Sequence, residues 1–363
     1  MAHELQGRIQ NLLDALTEAG KERGAQVAIY QNGRLIVNAW AGIADVRNGR
    51  RVDSNTLFPV FSTTKGIMAT VIHLLAERGQ LEYDRPIAHY WPEFAANGKE
   101  GITLRHALAH TSGLPNMPAG LTPARVCDWE YMCRAVAKLK PLWPVGDRFS
   151  YHPVTYGWLL GEVARRVDGR ALQPFLEAEV TGPLGISTMF VGVPADLEPT
   201  VAFLEEDPDP PVPPAPEDWV EEPVTWCMQP LTHWMNRSDA RQAGLPGSNG
   251  IMSALAIARH YAALLPGGLD GIELLPPERV RVATTPQVVN GPSEQKTELN
   301  HALGYGLDQE GFKGAFGHAG HGGSAGYAIP SHGVAVGVAR NRFHQGNLAS
   351  NVAGEIRKVL GIS

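Results

Sequence analysis

AQVAIYQNGRLIVNAWAG, residues 25–42, consists of two β-rich runs joined at Asn32-Gly33. Asn-Gly between two such runs is the strongest short-range hairpin signal, because both residues tolerate the positive φ of a tight turn. Upstream, Ile9, Leu12, Leu13 and Leu16 fall at helical spacing, and Gly20 can stop that helix. The far end of the chain has matching parts. GYGLD, SAGYAIP and GVAVGVARN are β-rich runs within 304–341, and a last helix carries Leu348, Val352, Ile356 and Val359. Between the ends, residues 80–200 are mostly helical patterns broken by Pro and Gly, and residues 254–265 are helical again. This arrangement predicts an α/β (α+β) fold. One antiparallel sheet built from both chain ends is flanked by helices, beside an inserted, mostly helical domain. The expected division is 1–66 with 245–363 for the sheet domain, and 67–244 for the helical one. EEDPDPPVPPAPEDWVEEP, 205–223, is too rich in proline for a helix or a central strand, which predicts a long surface loop.

The 363 residues are long enough to bury a sizeable core, and 44% hydrophobic with 19% charged residues is a globular balance. A net charge of −6 gives no reason to expect nucleic acid or an anionic membrane surface as partner. Cys127, Cys133 and Cys227 are too few and too irregular for a disulfide framework or a zinc site, and fit a reducing compartment. The first twenty residues carry acids where a signal peptide needs bases, and no apolar run approaches transmembrane length. The expectation is a soluble cytoplasmic protein. The histidines are scattered, with no H-E-x-x-H or paired-cysteine pattern, so no metal or other cofactor is implied. Nothing in the sequence speaks to oligomeric state.

FPVFSTTKGIMAT, 58–70, sets Ser62 three residues ahead of Lys65 among apolar neighbours. Residues three apart share a helix face. If Ser62 begins a helix, its hydroxyl lies at the positive end of the macrodipole and Lys65 one turn deeper. An amine among apolar residues loses hydration and so its affinity for a proton, and can then take the proton of the serine. The bland alternative is an N-cap serine and a surface lysine. Two further stretches bear on the choice. In GDRFSYHPVTYGWLLGEVARRVDG, 146–169, Tyr151 ends a turn and a helix follows. In FGHAGHGGSAGYAIPSHGVAVGVARN, 316–341, glycines let a backbone approach a ligand closely, a strand edge can offer an N–H to an oxyanion, and His318 could donate to a substrate. Taken singly, Tyr151 could equally be a core tyrosine, the glycine segment a bulged turn, and each histidine a structural residue.

Together with LRHALAHTSGLP (104–115) and GSNGIMSALAIARHYAALLPGG (247–268), these stretches resemble the serine β-lactamase and penicillin-binding-protein superfamily. The likeness is to its class C branch, which includes family VIII carboxylesterases and D-alanyl-D-alanine carboxypeptidases. It spans about residues 25–341 and implies a β-lactamase/transpeptidase-like fold. It also implies roles. Ser62 becomes acylated, and Lys65 and Tyr151 share the proton work, with Tyr151 as the base whose phenolate character Lys65 supports. The backbone N–H groups of Ser62 and His321 form the oxyanion hole. His318, Gly320, His152 and, from the proline-rich loop, Trp219 are the expected substrate contacts. Two departures stand out. The family's Tyr-x-Asn is Tyr151-His152-Pro153 here, and the third-motif lysine is His318, mostly neutral near pH 7. Both changes weaken the case for β-lactam or peptidoglycan substrates. The expected function is a serine esterase acting on small or medium acyl esters, and the expected partner is a small-molecule ester. A β-lactamase, a D,D-peptidase or an acyltransferase using the same residues is the alternative, and a non-enzymatic binding protein is the third.

Overall fold

The computed structural model describes residues 2–206, 221–222, 226–290, 296–343 and 347–362. Its centre is a seven-stranded, antiparallel sheet. The strands run in the order Gly306–Leu307, Phe316–Ala319, Ala325–Ile329, Val334–Arg340, Gly24–Gln31, Arg34–Asp45, Arg50–Arg51. The two chain ends meet where Gly24–Gln31 pairs with Val334–Arg340, in register from Ala25↔Arg340 to Gln31↔Val334. The Asn-Gly hairpin forms as its chemistry predicts: Asn32 and Gly33 have φ of 49° and 74° between the paired Gln31 and Arg34.

Alternation along these strands divides the apolar side chains between two cores. Val27, Ile29, Val336 and Val338 face the terminal helices Ala2–Glu18 and Leu348–Leu360, through Leu5, Ile9, Leu13, Val352 and Ile356. Ala28, Tyr30 and Ala335 face the other way, onto the helix Ala254–Ala262 and the larger helical core. Small residues are required on that face. A Cβ on Gly337 would lie 2.1 Å from the Ala254 carbonyl, so only glycine lets helix and strand approach this closely.

The helix Thr64–Glu77 runs through the larger core and is buried from Thr64 to Ala76. A helix apolar all round belongs inside. It follows the strand Phe58–Phe61, which pairs with Gly250–Met252, itself paired with Met189–Val191. A second helix, Thr155–Asp168, packs beside it. Most of the proline-rich stretch, Trp219 included, lies outside the described residues. On its two sides, Glu205–Glu206 pairs with Arg342–Phe343, and Glu221–Glu222 pairs with Met117–Pro118. No helix among the described residues is long and apolar enough to cross a membrane.

Candidate active site

Ser62 sits on the turn between the strand Phe58–Phe61 and the helix Thr64–Glu77. The turn is sharp: Phe61 has φ of 47°, a left-handed conformation that a bulky residue adopts only under constraint. The Thr64 hydroxyl holds it by donating to the Phe61 carbonyl and accepting from the Gly250 amide, the latter at 2.8 Å. One helical turn in, Lys65 is fully buried. Its Nζ lies 3.1 Å from Ser62 Oγ and donates to the Pro153 and Gly247 carbonyls, each at 2.6 Å. Burial holds the amine well below the usual lysine range, and no carboxylate opposes that effect. A neutral amine has two N–H bonds and one lone pair. With both N–H bonds on the carbonyls, the lone pair is left for the Ser62 hydroxyl.

Tyr151 reaches the same place from the loop before the helix Thr155–Asp168. Its hydroxyl lies near enough to the Ser62 side chain to feel it, and both residues line the same cavity. Burial pushes its phenol up, an effect that the neighbouring Ser62 hydroxyl only partly offsets. The lysine amine lies 5.0 Å from the centre of the Tyr151 ring. In the resting site the burial effects thus favour a protonated phenol beside a neutral amine, the reverse of a phenolate supported by an ammonium.

Ser62 and Tyr151 open onto a cavity of about 360 Å³. Phe61, Val154, Met228, Leu231, Trp234 and Met235 form its apolar walls, with Pro153, Gln229, Ser248 and His321 completing it. Among the described residues, none that bounds it carries a fixed charge. Trp234, just after the proline-rich stretch, is buried in its wall.

His321 lies in the turn after the strand Phe316–Ala319, and its ring packs edge-on against Phe61 at 5.8 Å. The turn is held against the Ser62 segment by Gly320, whose substitution by any L-residue would put a Cβ 2.1 Å from the Val60 carbonyl. This is a correction: Gly320 is a close-packing contact and does not line the cavity on Ser62, and its amide is used within the turn, donating to Ser324 O at 2.7 Å. His318 is likewise off the cavity wall, behind Tyr151 at 6.0 Å between ring centres. Its Nδ1 bonds the Ala319 carbonyl at 2.7 Å, and burial pulls its pKa down to about 3. His152 is the clearest correction. It is fully buried, with Nδ1 on the Ser150 carbonyl and Nε2 accepting from the Leu114 amide and the Ser112 hydroxyl, so nothing remains for a substrate. Among the described residues, no group of three His, Cys, Asp or Glu is placed to hold a metal ion.

The β-lactamase family model matches residues 9–360. This chain belongs to the β-lactamase family. Esterase/beta-lactamase LipL of Mycobacterium tuberculosis is 33% identical over 342 residues, covering 88% of this chain and 77% of that protein. A family VIII carboxylesterase of known structure has 29% identity and a TM-score of 0.84, covering 98% of this chain and 96% of that one. A penicillin-binding-protein homologue from Caulobacter crescentus has 31% identity and a TM-score of 0.83, covering 97% and 96%. The chain is a serine hydrolase of this family.

The sequence reading missed the partners of Lys65. Pro153 draws attention for the amide it lacks, whereas its carbonyl is what meets the amine. Gly247 became a partner through glycine packing: a Cβ on Gly157 would lie 2.4 Å from the Gly247 nitrogen, so two glycines let the loop touch the helix. A G-W-L-L-G run on a buried helix was the available signal.

Proposed function

We propose that this protein is a carboxylesterase that cleaves small to medium, uncharged acyl esters through a Ser62 acyl-enzyme. The observation that carries this reading is the cavity on Ser62: apolar-walled and, among the described residues, lined by no lysine or arginine to hold a substrate carboxylate. An ester needs only an apolar pocket, a nucleophile and a stabilised oxyanion. The names of the relatives lean the same way, two of the three toward ester cleavage.

In this mechanism Lys65 Nζ takes the proton of Ser62 as Oγ bonds to the acyl carbon. The carbonyl oxygen, now negative, is held by the N–H groups of Ser62 and His321. The bond to the alcohol then breaks, and the departing alkoxide takes the proton of Tyr151. Lys65, now an ammonium, returns its extra proton to the Tyr151 phenolate, which restores both groups. Water repeats the sequence on the acyl-enzyme and frees the acid. The raised phenol and lowered amine support this assignment of acid and base.

The test is a panel of p-nitrophenyl esters from acetate to decanoate alongside nitrocefin, compared by kcat/KM. Short and medium esters exceeding nitrocefin by about 10²-fold or more is the expected result, given that binding a charged substrate in a charge-free apolar cavity is disfavoured. Equal values would make the β-lactamase reading, which the double name of LipL keeps open, the better one.

A further inference from the structure

Tyr151 lies outside any helix or strand, so something other than regular hydrogen bonding must hold its side chain at the cavity it shares with Ser62. The residues on either side of it are both held by His110. The Ser150 amide donates to the His110 carbonyl at 3.0 Å, and the His152 amide donates to His110 Nδ1 at 3.1 Å. The His110 ring packs against the Tyr151 ring, tilted 50° to it, 4.7 Å between centres. His152 closes the clasp in return, through the Ser112 hydroxyl and Leu114 amide of the same turn.

The proton placement on His110 follows from its partner. An amide N–H pointing at Nδ1 requires a lone pair there, so the neutral ring carries its proton on Nε2. That Nε2 is buried and has no partner among the described residues. An orphaned buried donor is a standing energetic cost of about 1–3 kcal/mol, tolerated here while the other nitrogen holds the loop. His110 also has φ of 57°, so the backbone is bent to bring this ring to the loop.

We propose that His110 is the positioning residue for Tyr151: by grasping the backbone on both sides of the tyrosine, it fixes the hydroxyl where it can serve Ser62. This rests on the acid role given to Tyr151 above. The prediction is a loss in kcat that runs through Tyr151, with little change in substrate binding.

The test is a double-mutant cycle on ethyl butyrate, whose poor leaving group needs an acid. His110→Gly accepts the positive φ and removes the ring. It should lower kcat by about 10²-fold, the scale of a misplaced proton-transfer group, with KM within about threefold. His110→Asn keeps an acceptor near the Nδ1 position and also tolerates positive φ, and should recover most of the loss. In a Tyr151→Phe background, His110→Gly should cost less than about threefold more, because groups acting as one unit are not additive. Equal losses in both backgrounds would overturn the proposal, as would an Asn variant as poor as the Gly variant. Should His110→Gly fail to fold, His110→Gln, whose amide is carried one carbon too far, takes its place in the cycle with the same expectations. If the unaltered enzyme cleaves nitrocefin but no ester, the esterase reading falls alone and the cycle is run on nitrocefin. A protein cleaving neither would overturn both.

Discussion

Lys65 is an amine with no counterion among the described residues, set in the interior by a helix that is buried along almost its whole length. The serine-lysine spacing is plain in the sequence, and so is the apolar setting that lowers the amine. The direction of proton traffic is not, because it depends on the burial of Tyr151 and on two backbone carbonyls that no side-chain pattern announces. Two predictions belong to these residues. Lys65→Arg should not rescue activity relative to Lys65→Ala, since a guanidinium stays protonated at any working pH. Recovery to near the original kcat would mean that a fixed positive charge, not a base, is what the site needs. Tyr151→Phe should depend on the leaving group. Read as kcat/KM, which reports acylation, the loss on an ethyl ester should be on the order of 10²- to 10⁴-fold, and far smaller on a p-nitrophenyl ester, whose phenolate leaves without a proton. A uniform loss across leaving groups would return Tyr151 to the role of base.

Elements meet at the site through close backbone approaches, and these were the least legible part. The hairpin, the terminal helices and the closing strands follow from turn chemistry and apolar periodicity. The strained turn at Phe61, the Gly157–Gly247 contact and the seat of Gly320 against Val60 follow only from three-dimensional packing. Gly320 gives an element-scale prediction. Gly320→Ala would force the turn that carries His321 away from the turn that carries Ser62, because the clash is with backbone and cannot be relieved by a side-chain rotation. If the amides of both turns hold the oxyanion, kcat should fall by about 10²- to 10³-fold, while circular dichroism stays that of the parent. Full activity in a folded Gly320→Ala protein would move the oxyanion donor elsewhere. The segment Leu231–Met235 makes a different prediction, since Leu231, Trp234 and Met235 all bound the cavity. Trp234→Ala should shift the chain-length optimum toward longer acyl groups and leave acetate turnover nearly unchanged. A parallel fall for every ester would show that the residue supports the fold rather than selects the substrate.

At the scale of the whole molecule, the unusual burden is buried imidazole. Burial pulls His152 and His301 down to about 4, and His73, His260 and His318 to about 3, from an ordinary 6.5. His110 is lowered well below its usual range for the same reason. In each case the folded pKa is below the unfolded one. Between the two values the unfolded chain binds a proton that the native state refuses, so stability falls as pH falls. Above about pH 6.5 both states hold neutral rings and this penalty is absent. Below it each ring removes about 1.4 kcal/mol per pH unit, until the folded pKa is reached. Glu22 leans the other way, its carboxyl pushed up to about 7 by burial despite Arg340 beside it, but one carboxyl cannot offset six imidazoles. Against a typical total of about 5–15 kcal/mol, the fold should fail on the acid side well before its surface carboxylates titrate. Melting temperature should fall gently from pH 8 to 7, where the buried Lys65 amine already resists a proton that the unfolded chain binds, and steeply below about 6.5, where the imidazoles join it. His260→Phe should soften the drop, because among the described residues its ring makes one hydrogen bond, to Thr70, and it does not line the cavity on Ser62. A melting temperature held constant down to pH 5 would mean that these rings are already charged in the native protein, and the neutral, apolar surroundings on which the lysine base depends would go with it.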